Sequence, residues 1–419
     1  MRLLYLIPSE GFGGAERQAV YHIAHLPRMG IDVVLMVGPG RLIVEQLARE
    51  GVLDYEFSTA MVRESGRPVG PLSHAGHVAF TATNWVRGSS QIRRVARRHR
   101  VDAILGSRTA GTAMVGAAAH SLSIPQIWRA GSRPTRAVHR LAFRTYAALF
   151  RPAGILCNCR AVQRAIQPLV SVPCPVVYNG VDLRRFDPAV VRPDPRWDVI
   201  DRSETVTLGV SGRPAPGKGL ETIADALARL DLPPRRLRVL IAGDYGWREH
   251  YERYFVERGL ATQVSFIGHV AEVERFLRGC DIHVLASGPS STEGLPNTVL
   301  EAMAMRCAVV TTDVGGVTEA VSDGESGLLV PPHEPRALAH AVQALVESQP
   351  LRAELGRRAR ETVERRFSLD ATVVRLAEVV DGLLGASRVP TRRLGRPVGP
   401  PREVTASMSP SAHFGSGRC

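Results

Sequence analysis

The feature that most constrains the fold is an alternation of short apolar runs with helix-length segments, which occurs twice along the chain. The runs are nearly continuous in Leu, Val and Ile, as expected for strands that helices cover on both faces. Such alternation predicts parallel sheets built from βα units. The predicted strands are 2–8, 32–37, 102–106, 125–129, 154–158 and 175–179 in the first half, and 205–212, 237–243, 263–268, 281–287, 307–312 and 327–330 in the second.

A Pro- and Asp-rich stretch, residues 187–203, separates the two series and is typical of a linker. We therefore expect an α/β protein with two Rossmann-like, doubly wound domains, 1–186 and 204–367. Ligands of open α/β sheets bind outside the carboxyl ends of the strands, so a central cleft between the domains is the expected site. The tail, 386–419, is basic and lacks the apolar content to fold, and we predict that it is disordered.

The net charge of +13 is uneven: residues 1–183 carry +12 and residues 386–419 carry +5. This predicts an anionic partner for the first half. No zinc-finger spacing, RNP-like stretch or bZIP heptad is found, so we expect no nucleic acid and favour an anionic acceptor or a membrane surface. The first apolar run, LLYLIP, is too short for a membrane span or a signal peptide, which favours a cytoplasmic protein. Scattered cysteines without CxxC spacing indicate reduced, buried thiols.

A series of arginines between residues 133 and 151 recurs at helical spacing beside apolar side chains: Arg133, Arg136, Arg140, Arg144 and Arg151. Such a helix could lie on an anionic membrane and bring the protein to a lipid-linked acceptor. The alternative, which we favour, is a sheet-packing helix with a solvated arginine face.

A glycine cluster, EGFGGAERQ (10–18), follows the first predicted strand and begins a helix. It fails the GxGxxG dinucleotide pattern because Glu16 stands at the third glycine position, which disfavours NAD. Gly13 and Gly14 would still expose backbone N–H groups to an anion at the helix start. The alternative is a tight turn without a ligand.

The stretch SGRPAPGKG (211–219) contains Lys218, the only lysine among 53 basic Lys and Arg side chains. After a strand, Arg213 could make a bidentate contact with one phosphate while Lys218 supplies a mobile ammonium to another. The alternative is a surface turn with two solvated cations. The P-loop pattern GxxxxGK[ST] is absent, and so is any DxD pair that could hold a metal on a diphosphate. We therefore expect no metal.

The stretch from 290 to 321 contains two glutamates eight residues apart, Glu293 in a loop and Glu301 inside a helix whose first turn holds Pro296. If the intervening residues are helical, the carboxylates lie roughly ten ångström apart. One could hold the hydroxyls of a sugar and the other those of a ribose, while Gly294, Leu295 and Pro296 bring backbone close to the ligand. Paired carboxylates also occur in glycosidases, but hydrolysis would not need phosphate clamps.

Taken in order and spacing, GGAER (13–17), SGRPAPGKG (211–219), EGLPNTVLEAMA (293–304) and DVGGVTEAV (313–321) resemble the family-4 retaining glycosyltransferases of GT-B fold. The resemblance implies that the C-terminal helix, 368–384, crosses back to the first domain. It also implies retention of anomeric configuration without a metal, with the leaving phosphate helping to deprotonate the acceptor. It assigns the donor pyrophosphate to Arg213 and Lys218, the donor sugar to Glu293, the ribose to Glu301 and the donor phosphates also to the loop of Gly13 and Gly14.

The sequence departs from this family in one place. Many relatives carry a histidine after the strand that corresponds to 102–106, where this chain has Ser107 and Arg108. Arg108 could substitute, Arg129 or His120 could approach, or the sugar could be held differently.

The function expected from the resemblance is transfer of a sugar from a nucleotide-diphosphate-sugar donor, a co-substrate, to a hydroxyl of a carbohydrate or lipid-linked acceptor. Polysaccharide, glycolipid or glycoconjugate assembly is the expected setting. Two alternatives are a GT-B sugar-nucleotide epimerase or hydrolase, and a catalytically silent sugar-nucleotide-binding subunit. The location is expected to be cytoplasmic, with peripheral attachment to the inner face of the membrane as an option.

Overall fold

Two six-stranded parallel sheets form the core of the chain. The computed structural model describes residues 1–8, 13–38, 40–57, 71–107, 109–197, 204–243 and 246–387. The strands of the first sheet are β1 (Arg2–Ile7), β2 (Asp32–Val37), β3 (Glu56–Phe57), β4 (Ala103–Ser107), β5 (Gln126–Ala130) and β6 (Gly154–Cys157). Those of the second are β7 (Val206–Ser211), β8 (Leu237–Ala242), β9 (Val264–Gly268), β10 (Ile282–Leu285), β11 (Ala308–Thr312) and β12 (Leu328–Val330).

Both sheets have the same doubly wound topology. The first has the order β3-β2-β1-β4-β5-β6 and the second the order β12-β11-β10-β7-β8-β9. The chain therefore changes direction between β1 and β4 in one sheet and between β7 and β10 in the other. These are the switch points beside which open α/β sheets bind ligands. We refer to the parts built on the two sheets as the first and second domains; the α/β fold class is confirmed.

Helices cover both sheets, which is why the strands are almost wholly apolar and buried. In the first domain the helices are α1 (Gly14–His25), α2 (Arg41–Arg49), α3 (Pro71–Arg98), α4 (Thr109–Leu122), α5 (Ala137–Phe150) and α6 (Arg160–Ile166). The remaining helices are α7 (Leu220–Leu227), α8 (Arg248–Val256), α9 (Val273–Arg278), α10 (Asn297–Ala304), α11 (Pro335–Glu347), α12 (Gln349–Arg366) and α13 (Leu369–Ser387).

One strand prediction in the first half is wrong, and one strand of the sheet was not predicted. Residues 175–179 form only a single bridge, between Cys157 and Val176, and not a strand. Pro173 and Pro175 lack the N–H groups that a longer ladder needs. The sixth strand is instead the two-residue β3, which is too short to produce a recognisable pattern.

Residues 335–366 form two consecutive helices, α11 and α12, and not a single one. Ser348 is extended (φ −116°, ψ 97°), and its side chain accepts a hydrogen bond from the Leu351 amide. A serine cap followed by Pro350 in the first turn is a strong helix start, so a new helix begins there.

Helix α13 returns to the first domain, as the resemblance implies. Its buried side chains Leu376, Val380 and Leu384 join the apolar cluster of β1, α1 and β2. At the start of the helix, two backbone hydrogen bonds of 2.8 Å hold the chain to Val181. The Val181 amide donates to the Phe367 carbonyl oxygen, and the Leu369 amide donates to the Val181 carbonyl oxygen. Beyond α13, residues 388–419 of the predicted tail lie outside the described residues.

The arginine series is divided by the bounds of α5. Arg140 and Arg144 lie on the helix, whereas Arg136 and Arg151 are its caps and Arg133 precedes it. The helix packs through Phe143, Ala147 and Phe150, so it is a sheet-packing helix with exposed arginines. Its outer face also exposes Val138, Leu141 and Leu149 by 64, 55 and 60 %.

None of the helices in the described ranges combines the length and apolar content that crossing a bilayer demands. The cysteines in those ranges are free and buried: Cys157, Cys159, Cys174, Cys280 and Cys307.

Candidate active site

The loops that the sequence analysis singled out follow the carboxyl ends of switch-point strands. The loop with Gly13 and Gly14 follows β1, the loop with Lys218 follows β7, and the loop with Glu293 follows β10. All three loops belong to the compact unit Met1–Ser387.

Lys218 and Glu293 form an ion pair within the second domain. The Lys218 ammonium contacts Glu293 Oε1, and the Ser287 hydroxyl lies 3.5 Å from the same oxygen. The Glu293 side chain is only 14 % exposed. The next residue, Gly219, has a φ of +78° and packs so closely against the backbone after β10 that a Cβ would lie 1.7 Å from the Ala286 carbonyl oxygen, so only glycine fits there. The candidate phosphate cation and the candidate sugar carboxylate are thus adjacent.

Arg213 lies on the same loop and is exposed to solvent. The loop starts at Ser211, whose hydroxyl lies 2.9 Å from Nε2 of His283 on β10. Burial lowers the pKa of His283 to about 4, so this histidine is a neutral partner near neutral pH. The strand end that precedes Arg213 is therefore held by a buried, uncharged hydrogen bond.

Glu301 is bound to the first domain. Its side chain is 4 % exposed, and Oε1 accepts a hydrogen bond from Arg17 Nη1 of α1 at 2.6 Å. Its other oxygen, Oε2, is buried and has no hydrogen-bond partner among the described residues. A buried carboxylate oxygen without a hydrogen-bond partner is costly in free energy. Arg17 is the last residue of the motif GGAER (13–17), but the motif alone predicts no role for it.

The start of α1 contacts the start of α10. The Asn297 amide donates to the Gly14 carbonyl oxygen at 2.8 Å. Gly13 is the extended N-cap of α1, and its amide donates to the Glu16 carboxylate at 3.0 Å. The next amides begin the helix and by geometry have no acceptor within it. An anion at this helix start would therefore meet the amides of Gly14 and Ala15 rather than that of Gly13, which already donates to Glu16.

The loop from Glu293 to Pro296 lies between the two domains. Ser132, after β5, pairs with Glu293 as an antiparallel bridge. A Cβ on Gly294 would lie 2.5 Å from the Gly131 carbonyl oxygen and from Asn158 Oδ1, so only glycine fits this contact.

Leu295 continues this contact, because its carbonyl oxygen accepts a hydrogen bond from the Asn179 side chain at 2.7 Å. Pro296 is the N-cap of α10, one position before the first turn that the sequence predicted.

Glu319 makes a second contact between the domains. Its carboxylate accepts hydrogen bonds from the backbone amides of Arg160 and Ala161, at 2.8 Å each, and from the Tyr178 hydroxyl at 3.0 Å. The first two amides belong to the N-terminus of α6, where a carboxylate is favoured by the helix dipole. Just before it, the Gly316 amide donates to the Gly294 carbonyl oxygen at 2.9 Å.

The alternatives for the missing histidine differ in position. The Ser107 hydroxyl donates to the Leu6 carbonyl oxygen at 3.2 Å, inside the sheet. His120 is exposed in the last turn of α4, which runs away from the carboxyl edge of the sheet. Arg129 is buried and donates to the Ala15 carbonyl oxygen in the first turn of α1. Arg108 lies outside the described residues.

Across the described ranges, His, Cys, Asp and Glu side chains form no cluster of three or more that could hold a metal ion. Two ion pairs lie among these loops, Lys218 with Glu293 and Arg17 with Glu301.

Two parallel-sheet domains with ligand loops at their switch points define the GT-B class. Family models agree: Glycosyltransferase Family 4 matches residues 12–185 and Glycosyl transferases group 1 matches residues 205–348. Together the two models match well over half of the chain, which therefore belongs to the family-4, group 1 glycosyltransferases.

Among curated relatives, the chain is 29 % identical to the lipopolysaccharide core biosynthesis mannosyltransferase LpcC of Rhizobium leguminosarum, over 52 % of this chain and 62 % of LpcC. It thus covers less than two thirds of that relative. It is 25 % identical to the core biosynthesis glycosyltransferase LpsE of Rhizobium meliloti, over 86 and 93 % of the two chains. The fold is similar to that of Anabaena HepE solved with UDP-glucose (TM-score 0.74, 21 % identity, 91 % of this chain and 100 % of that chain).

Proposed function

We propose that this protein transfers a sugar from a nucleotide-diphosphate-sugar donor to an acceptor hydroxyl, with retention of anomeric configuration and without a metal. The observation that carries the proposal is the adjacency of Lys218 and Glu293 at the carboxyl edge of the second sheet. A cation for the leaving diphosphate and a carboxylate for the sugar hydroxyls are then available side by side. Family membership supports the same reaction class.

In this proposal the donor exchanges partners with groups that are already paired. Its diphosphate takes Lys218 and Arg213, which frees the Glu293 carboxylate for sugar hydroxyls. The ribose binds Glu301, whose Oε2 is buried without a hydrogen-bond partner among the described residues. The first amides of α1 face the phosphates from the other domain.

Negative charge grows on the phosphate oxygens as the glycosidic bond breaks, and fixed cations stabilise it most in that transition state. The same leaving phosphate accepts the proton of the acceptor hydroxyl, since attack occurs on the face it leaves.

The test is a panel of UDP-, GDP-, ADP- and TDP-sugars, first by thermal shift, because a ligand that binds only the folded state raises its melting temperature. The donor that binds is then incubated with and without EDTA, and the anomer formed is read by NMR. Transfer or slow hydrolysis that retains configuration and survives EDTA supports the proposal. Epimer exchange would identify an epimerase, a product of inverted configuration would contradict retention, and binding without turnover would identify a silent subunit.

For the acceptor, we propose a glycolipid or polysaccharide intermediate at an anionic membrane surface. The lipopolysaccharide core roles in the names of LpcC and LpsE support this setting. Helix α5 supports the membrane contact, because exposed Leu141 and Leu149 lie beside the exposed Arg140 and Arg144. Cosedimentation with phosphatidylglycerol vesicles, but not with phosphatidylcholine vesicles, is expected. The Arg140→Glu/Arg144→Glu variant should lose it, and equal binding of both proteins would contradict the role of α5.

A further inference from the structure

A positive charge is buried at the carboxyl end of β5. Arg129 is 8 % exposed. Its guanidinium donates through Nη1 to the Ala15 carbonyl oxygen at 3.1 Å and through Nη2 to Asn179 Oδ1 at 3.3 Å. Both acceptors are neutral, and no carboxylate of the described residues forms an ion pair with Arg129. Buried guanidinium groups are normally paired with an anion, whereas among the described residues this one has only neutral acceptors.

Two titratable groups next to Arg129, Tyr5 and His22, carry no negative charge that would cancel its positive charge. The Tyr5 hydroxyl and Nδ1 of His22 lie 3.4 Å apart in the core. Burial, and next the charge of Arg129, hold the pKa of His22 well below its usual value. Burial raises the pKa of Tyr5 although Arg129 opposes the rise. A neutral imidazole and a neutral phenol therefore stand beside the guanidinium.

The two hydrogen bonds of Arg129 lead to the two loops that face each other across the domains. Ala15 lies in the first turn of α1, directly after Gly13 and Gly14. Asn179 donates its own amide to the Leu295 carbonyl oxygen, in the loop that carries Glu293. Arg129 thus holds the α1 turn directly and the Glu293 loop through Asn179. Its positive charge also lies next to the first turn of α1, where the helix dipole is positive.

We propose that Arg129 is a positioning residue for the donor diphosphate, which orients the first turn of α1 and adds positive potential to the amides there. The inference rests on the proposed donor chemistry and deepens it. Arg129 is one of the alternatives for the missing family histidine. In this proposal it acts on the charge of the phosphates, and it does so through α1.

Two variants distinguish the effect of the Arg129 charge from the effect of its hydrogen bonds. Arg129→Gln can keep a donor to Ala15 but removes the charge, and Arg129→Lys keeps the charge but loses the planar fork. Arg164→Gln, at an exposed arginine of the same domain, is the matched control. Calorimetry compares a nucleoside with its mono- and diphosphate, using the base that the thermal-shift panel selects.

We expect Arg129→Gln to weaken diphosphate binding roughly tenfold, monophosphate binding less, and nucleoside binding not at all, as for loss of one nearby charge. Arg129→Lys should keep the wild-type ratio of diphosphate to nucleoside affinity within about threefold. An unchanged ratio in Arg129→Gln would overturn the inference. So would a tenfold drop of that ratio in Arg129→Lys, which decides the matter if the glutamine variant does not fold. Failure of the wild type to bind any nucleoside diphosphate would instead contradict the proposed function itself.

Discussion

At the residue scale, two cations of the site are already paired with carboxylates in the ligand-free protein. Lys218 is paired with Glu293, and Arg17 is paired with Glu301. Each pair joins a cation to a carboxylate that, by resemblance, binds hydroxyls. Isolated buried charges would be costly, and mutual pairing reduces that cost in the ligand-free protein. A donor that brings both phosphates and hydroxyls can satisfy both members of a pair at once, whereas a simple anion would leave a carboxylate unpaired.

Lys218→Ala is expected to lower turnover by about 10²–10³, because the leaving diphosphate loses a preorganised cation. The melting temperature should change little, since the Lys218 side chain is 34 % exposed and its pair is only partly buried. Steady-state rates with the selected donor measure the effect. Arg229→Ala removes an exposed cation of the same domain and serves as the control. Equal turnover of Lys218→Ala and wild type would remove Lys218 from the mechanism.

His283 should make the stability of the protein depend on pH. Burial lowers its pKa from 6.5 to about 4, so between these values the unfolded chain binds a proton that the folded chain does not. The contribution of His283 to the free energy of unfolding is therefore fully present above pH 6.5. It is lost as pH decreases toward 4, which lowers the free energy of unfolding by on the order of 3 kcal/mol.

Urea unfolding at several pH values measures how the free energy of unfolding depends on pH. This dependence should be weaker for His283→Gln, whose side chain can keep the hydrogen bond to Ser211 without titrating. Buried His22 contributes in the same direction and remains in both proteins. If the free energy of unfolding depends on pH equally in the variant and the wild type, the pKa of His283 does not change on folding.

At the element scale, the strands were predictable wherever an apolar run was long enough. β7 and β8 match their predicted runs within a residue at each end, because burial on both faces leaves a continuous pattern. β3 has two residues and no pattern. Lys218 and Glu293 could be found from motifs, since each lies beside a glycine that the backbone requires. The pairing of Arg17 with Glu301 joins residues 284 positions apart, and no local pattern encodes a contact between domains.

Helix α13 should be an integral part of the first domain. Leu376 is fully buried in the cluster that includes α1 and β1, whereas Val374 on the same helix is 44 % exposed. Leu376→Ala is expected to cost about 2–5 kcal/mol of unfolding free energy through the cavity it leaves, and Val374→Ala less than about 0.5 kcal/mol. Urea denaturation measures both. Equal, small effects would mean that α13 is not cooperatively folded with the domain.

At the scale of the whole molecule, both apolar and polar contacts join the two domains, and one buried apolar cluster contains Trp128 of β5 as well as Val299 of α10. Arg17 with Glu301 and Arg185 with Glu274, at 2.6 and 2.9 Å, are ion pairs between them, and Glu319 adds its bonds to α6. A donor that competes for Arg17 or Glu301 would change the polar part of this contact.

Glu319 offers the sharpest test of this arrangement, because it lies away from the two ion pairs and three hydrogen bonds depend on it. Glu319→Ala should weaken closure by roughly 2–4 kcal/mol, since it leaves two amides of α6 and the Tyr178 hydroxyl without their charged acceptor. Small-angle scattering should show a larger radius of gyration for the ligand-free variant, and saturating donor nucleotide should reduce it. Glu325→Ala, at an exposed glutamate of the same domain, should scatter like the wild type. If Glu319→Ala has the wild-type radius both with and without nucleotide, the domains are held by other contacts, and Glu319 does not control their closure.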